Sequence, residues 1–142
     1  MRQILSVENI SFGYSKQLLY EGLSFALPEG SFTAILGPNG VGKSTIVKNI
    51  SALLPVKTGR IFFLGRDLAA FSARELARGM AVVNQNNDIG FDFTVEETVF
   101  MGRMPHRQPW ERETPKDREA VCAALDMTNC ASLAGRLITT LS

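Results

Sequence analysis

Apolar and polar positions alternate through "ILSVENISFGY", first at Leu5 and Val7 and then at Ile10 and Phe12, and this pattern predicts a strand. "LLYEGLSFALPEG" predicts a second strand, with Leu23, Phe25 and Leu27 on one face and Pro28-Glu29-Gly30 as the turn. "FTAILG" has no alternation and reads as a strand covered on both faces. In "IVKNISALL" the residues Ile46, Ile50, Leu53 and Leu54 recur at helical spacing, and Pro55 is the predicted stop. "RIFFLG" predicts a strand turning at Gly65, and "MAVVNQ" a buried strand ending in polar residues. Ser72 with Glu75, and Thr94 with Glu97, have capping-box spacing for the helices "ARELARGM" and "VEETVFMGRM". "HRQPWERET" predicts a polar loop. Thr114 and Pro115 then suit an N-cap and first helical position, and Val121, Ala124 and Leu125 form the apolar face of the helix that follows. The tail "TNCASLAGRLITTLS" predicts a short helix and an extended stretch. Strands alternating with helices after two antiparallel-looking strands define an α/β expectation.

Composition narrows this little. The 142 residues suit one domain, with 45% hydrophobic and 20% charged residues, as in ordinary globular proteins. A net charge of +1 supplies no field for nucleic acid, so no nucleic-acid partner is expected. Cys122 and Cys130 are two cysteines only, which fits reduced thiols better than a disulfide scaffold. Glu8, Asn9 and Ser11 interrupt the first strand, which therefore has no signal-peptide apolar core, and no run approaches the ~18 apolar residues of a membrane span.

The strongest chemical signal is Gly37-Pro38-Asn39-Gly40-Val41-Gly42-Lys43-Ser44, which fits G-x-x-x-x-G-K-[ST] between a predicted strand and a predicted helix. A triphosphate needs many donors close together. Backbone N–H groups supply them where no Cβ blocks the approach, at Gly37, Gly40 and Gly42. The helix beginning there turns its unpaired N–H groups and positive dipole end toward the anion. Lys43 supplies a point charge to the β- and γ-phosphates, and the Ser44 hydroxyl suits Mg²⁺. A chance Gly-rich turn is the weaker reading, because motif and context agree.

Taken in order with "SFGYS", "AVVNQ", "TVEETVFMGRMPH" and the closing "LS", the loop resembles the nucleotide-binding subunit of ABC (ATP-binding cassette) transporters over essentially the whole chain. The resemblance implies a P-loop NTPase core with a mostly parallel, incomplete sheet, an N-terminal antiparallel β subdomain and part of a helical subdomain. It places the core and β subdomain at 1–84 and the Q-loop and helical subdomain at 85–142. It implies ATP and Mg²⁺ as cofactors, with Gly37, Pro38, Asn39, Gly40, Val41, Gly42, Lys43, Ser44 and Thr45 around the phosphates. Tyr14 looks like the residue that stacks on adenine, a turn tyrosine after Gly13 being the alternative. Gln85 looks like the glutamine that touches Mg²⁺ or the attacking water, a polar strand end being the alternative. Lys43 and Gln85 are the catalytic candidates, and Ser44 and Gln85 the metal candidates. Phe91 and Phe93 suit either a docking surface for a membrane partner or the core.

The resemblance further implies a cytoplasmic ATPase held peripherally on the inner face of the cell membrane. Its partners are membrane-spanning permease subunits, a second ATPase subunit as a homodimer and, indirectly, a solute-binding protein. Gly102-Arg103-Met104-Pro105-His106 resembles the importer subgroup for iron-siderophores, haem or cobalamin. Leu141-Ser142 matches the opening of the family's Leu-Ser-Gly-Gly-Gln signature. The Walker B Asp and Glu and the switch histidine have no counterpart here, and His106 stands in another context. The expectation is the first part of a longer protein, binding nucleotide weakly and not hydrolysing it alone. It is also expected to expose unpaired strands and to aggregate without the rest of the domain. Competing classes are a soluble ABC-type ATPase without a membrane partner, a small-molecule kinase, and a nucleotide-binding fragment without turnover.

Overall fold

A computed structural model describes residues 2–15, 17–84 and 91–141. The chain divides into two compact units, Met1–Leu76 and Ala77–Ser142. No helix among the described residues is long and apolar enough to cross a membrane.

The first unit is built on an antiparallel sheet of order β2-β1-β3-β4, with β1 Gln3–Phe12, β2 Tyr20–Pro28, β3 Thr58–Phe63 and β4 Arg66–Asp67. The shift in β1 from odd to even apolar positions has a physical cause. Asn9 adopts a left-handed φ of 50°, and the β1–β2 register slips between Val7, opposite Phe25, and Ile10, opposite Leu23. This bulge absorbs one residue, so Leu5, Val7, Ile10 and Phe12 are all buried. β2 alternates as predicted, and its turn closes with Ser31 N–H donating to the Pro28 carbonyl at 3.3 Å. β3 and β4 are joined by Leu64-Gly65, both at positive φ, the geometry that suits a two-residue hairpin.

Helix α1, Lys43–Ile50, follows the glycine-rich loop. It stops well before Pro55. Ala52 is left-handed at φ 59°, its N–H donates to Asn49 O at 3.1 Å, and Leu53 N–H donates to Lys48 O at 2.9 Å. This is a Schellman ending with alanine in the position glycine usually takes. The buried face of α1 also differs from the predicted one. Thr45 and Asn49, one turn apart, are its buried residues, while Ile46 and Ile50 are half-buried. Helix α2, Ala73–Ala77, begins with the predicted box: Ser72 N–H donates to Glu75 Oε2 at 2.8 Å, and Glu75 N–H to Ser72 Oγ at 3.2 Å.

Two predicted strands are not formed. The stretch at 31–38 and the stretch at 80–84 carry no strand, and Phe32, Leu36 and Val83 are 98%, 88% and 89% exposed. The apolar runs are real, but a strand is a paired object. Among the described residues, the only extended sheet is the antiparallel one, and it does not reach them.

In the second unit α3, Val95–Met101, packs with α4, Pro115–Met127. Val95, Val121 and Leu125 are buried, with Val99, Phe100, Cys130 and Leu133 against them. The predicted caps are present at Thr94 with Glu97, and at Thr114, where Asp117 completes a box. The tail after α4 forms 3-10 turns at Ala131–Leu133 and Ile138–Thr140 rather than a helix and an extended stretch. Its carbonyls take the first N–H groups of α3: Val95 N–H donates to Arg136 O and Glu96 N–H to Ala134 O, both at 3.0 Å. The fixed place of these carbonyls favours tight turns over an extended run.

Candidate functional site: the glycine-rich loop and helix α1

The loop turns into α1 at Gly42, whose φ of 103° and ψ of 11° lie in left-handed space. A Cβ there would stand 2.8 Å from Leu19 Cδ2 and 3.0 Å from Leu19 Cγ. Both features favour glycine at this point, the left-handed backbone most of all. The Lys43 ammonium folds back over the loop and donates to the Gly37 and Pro38 carbonyls, each at 2.7 Å. An ammonium has three N–H donors, so the two bonds fix its place and leave the third for a phosphate oxygen. The first N–H groups of α1 have no intrahelical acceptor, and its first turn contains no acid to repel an anion. Ser44 is exposed and follows directly.

These residues fit a nucleotide polyphosphate. No group of three His, Cys, Asp or Glu among the described residues could hold a metal by itself. A Mg²⁺ at this loop would therefore take the Ser44 hydroxyl and otherwise phosphate oxygens and water. The loop residues Gly37, Pro38, Asn39, Gly40, Val41, Gly42, Lys43, Ser44 and Thr45 lie in one continuous turn-and-helix segment.

Tyr14 reaches the same place. Its hydroxyl is 3.4 Å from Thr45 Oγ1, its ring stands edge-on to Phe12 at 5.2 Å, and the residue is 67% exposed. Thr45 itself is buried, so its side chain belongs to this contact. Gln85 and Ser142 lie outside the described residues. Phe91 is exposed and Phe93 half-buried, with ring centroids 6.1 Å apart.

Tyr20 and Asn49 belong to no sequence motif. The Tyr20 hydroxyl donates to Asn49 Oδ1, and Asn49 Nδ2 donates to Leu54 O at 2.8 Å. Asn49 is 1% exposed. Burial, and secondarily the neighbouring Tyr14, raises the Tyr20 pKa and keeps its hydroxyl a donor. A polar residue in the middle of a predicted apolar helix face was the available signal.

The second unit carries its own polar centre. Arg103 Nε donates to Asp117 Oδ1 at 3.0 Å, and Arg107 Nε stands 3.6 Å from Asp117 Oδ2. The Arg107 guanidinium also lies 5.0 Å from the Phe100 ring centroid. The Thr114 hydroxyl bond, aided by the Thr114 backbone and Arg103 and opposed by desolvation, lowers the Asp117 pKa to about 2. The Arg103 of Gly102-Arg103-Met104-Pro105-His106 thus serves the start of α4.

A glycine loop under a lysine, leading into a helix beside an antiparallel sheet, defines a nucleotide-binding class of protein. Comparison gives the family. The ABC transporter family matches residues 20–142, and the chain belongs to it. It is 37% identical over 135 residues to the ferric enterobactin transport ATP-binding protein FepC of Escherichia coli (strain K12), covering 95% of this chain and 50% of that one. It is 35% identical over 138 residues to the iron(3+)-hydroxamate import ATP-binding protein FhuC of Bacillus subtilis (strain 168), covering 97% of this chain and 51% of that one. Among solved structures, a nucleotide-free ATP-binding cassette from an ABC transporter matches with a TM-score of 0.80 at 29% identity, covering 99% of this chain and 59% of that one. The fold is accordingly that of the P-loop ATPase domains of this family, α/β with an antiparallel N-terminal sheet. The chain spans about half the length of the curated relatives it matches.

Proposed function

We propose that the chain is the ATP-binding part of an importer's energy-coupling subunit, in which binding and hydrolysis of Mg·ATP drive solute uptake. The observation that carries this is the Lys43 ammonium, pinned over the loop by the Gly37 and Pro38 carbonyls at the start of α1. Gly37, Gly40 and Gly42 leave the backbone open to phosphate oxygens, Ser44 and Gln85 are the Mg²⁺ candidates, and Tyr14 offers its ring to the adenine. Iron-siderophore or haem cargo is supported by relatives whose names state ferric enterobactin transport, iron(3+)-hydroxamate import and hemin import. On this reading the chain works at the inner face of the membrane with permease subunits and a second ATPase subunit, in a cytoplasmic setting. The exposed Phe91 suits the permease contact.

Glu75, Glu97 and Asp117, the acids with lowered pKa values, are each engaged in a helix cap. On this reading the 142-residue chain alone is expected to bind Mg·ATP weakly at best and not to turn it over. Isothermal titration with Mg·ATP tests the binding site. Lys43→Ala removes the point charge and is expected to weaken binding at least about tenfold, a typical loss for one charge-assisted phosphate contact. Equal affinity in the variant would refute the site. Steady hydrolysis by the parent chain, lost in Lys43→Ala, would refute the absence of turnover.

A further inference from the structure

The phosphate loop is only as well placed as the helix it opens. α1 is two turns long, and the residues that bury it are Thr45 and Asn49, not an apolar stripe. A polar face does not select one rotation of a helix by packing. Moreover, a cavity of about 510 Å³ lies beside the end of α1, lined among others by Asn49, Ala52, Leu54, Ile61, Leu68 and Phe71. Packing on that side leaves the helix room to turn about its axis.

Hydrogen bonds supply what packing does not. The Tyr20 hydroxyl, from the first residue of β2, donates to Asn49 Oδ1, and the Asn49 amide in turn holds Leu54 O. The other tyrosine of the hairpin, Tyr14, meets Thr45 one turn closer to the loop. The residue beside Tyr20, Leu19, packs on Gly42, where an added Cβ would stand 2.8 Å from its Cδ2. Phe12 in β1 contacts both tyrosine rings, at 5.2 and 6.3 Å between centroids. We propose that Tyr20 and Asn49 are positioning residues for nucleotide binding: their part-buried hydrogen bond sets the rotation of α1 against the β1–β2 hairpin and so aims Lys43 and Ser44 at the phosphates. This inference rests on the proposed site at the loop. A hydrogen bond is directional in a way that apolar contact is not, so one such bond defines a rotation. Lys43 and Ser44 lie within two turns of Asn49, and a small rotation there moves the ammonium and hydroxyl by whole bond lengths.

The test uses the full chain, Mg·ATP titration and thermal unfolding. Tyr20→Phe removes only the hydroxyl, and Asn49→Leu removes the amide while keeping its approximate volume. Tyr20→Phe leaves the buried Asn49 amide oxygen without its donor, Asn49→Leu takes the donor from Leu54 O and the acceptor from the Tyr20 hydroxyl, and each is expected to lose thermal stability. The pair Tyr20→Phe with Asn49→Leu is apolar on both sides of the Tyr20–Asn49 bond and is expected to melt above Asn49→Leu alone, the Asn49 bond to Leu54 O being lost in both. Its Mg·ATP dissociation constant is nevertheless expected to stay about tenfold above the parent's, the loss expected from one misaimed phosphate contact. A double variant that regains both stability and affinity would make the bond a stability element only and overturn the proposal. So would single variants that bind as the parent does. Lys43→Ala, run alongside, separates the two claims: if it binds like the parent, the loop is not the site, and the positioning inference falls with it.

Discussion

Gly42→Ala tests how the loop is held. The native φ of 103° is far from any region an alanine adopts readily, and holding it there costs about 1–3 kcal/mol. The new Cβ would also stand 2.8 Å from Leu19 Cδ2, 3.0 Å from Leu19 Cγ and 3.5 Å from Tyr20 Cδ1. Leu19 Cδ2 is the end of a flexible side chain, so Leu19 can leave its rotamer at about 0.5–1.5 kcal/mol. The sum is about 1.5–4.5 kcal/mol, a large part of the stability of a small domain. Urea unfolding followed by circular dichroism reads this as a lower midpoint with unchanged slope. Adding Leu19→Ala removes the steric share but not the backbone share, so the double variant is not expected to recover Mg·ATP binding. If Gly42→Ala unfolds within about 0.5 kcal/mol of the parent and binds Mg·ATP equally well, the loop is not constrained as described.

Two further predictions follow from the caps. Ala52→Gly relieves a left-handed alanine of about 1 kcal/mol strain, partly offset by glycine's greater freedom when unfolded, for a net gain of about 0.5 kcal/mol; a fall in the urea midpoint would contradict the Schellman ending. Glu75 and Asp117 both have pKa values lowered to about 2, from 4.5 and 3.8, by their Ser72 and Thr114 bonds and by the arginines Arg66 and Arg103. Lowered carboxylate values mean that the caps contribute fully above the unfolded pKa and lose that contribution as pH falls toward about 2. The melting midpoint should hold level above about pH 5 and decline below it, with a shallower decline in Asp117→Asn; an identical profile in that variant would exclude Asp117 as a contributor.

Local chemistry was legible and pairing was not. The two predicted capping boxes, the Thr114 cap and the turns at Gly30 and Gly65 are set by neighbouring residues, and they stand where the pattern put them. The loop from Gly37 to Ser44 was legible because its backbone conformation demands glycine. The strands predicted at 32–37 and 80–85 are absent at 32–37 and over the described residues 80–84 for the opposite reason. Their apolar runs need partner strands, and a run of hydrophobic residues does not carry its partner with it. The helix end at Ile50 was missed because an alanine, not a glycine, takes the left-handed position. The pairing of Tyr20 with Asn49 was hidden because the two residues are 29 positions apart and neither belongs to a motif.

The clamp that joins Arg103 and Arg107 to Asp117 alters what the neighbouring stretch can be taken to reveal. Gly102-Arg103-Met104-Pro105-His106 invites use as a badge of the freight a transporter carries. Its arginine, however, is tied down by architecture: without that guanidinium, a sheltered carboxylate at the head of α4 loses its nearest counterion. A lineage that switched cargo would still have reason to keep the arginine, since drift there would leave Asp117 only the longer contact with Arg107.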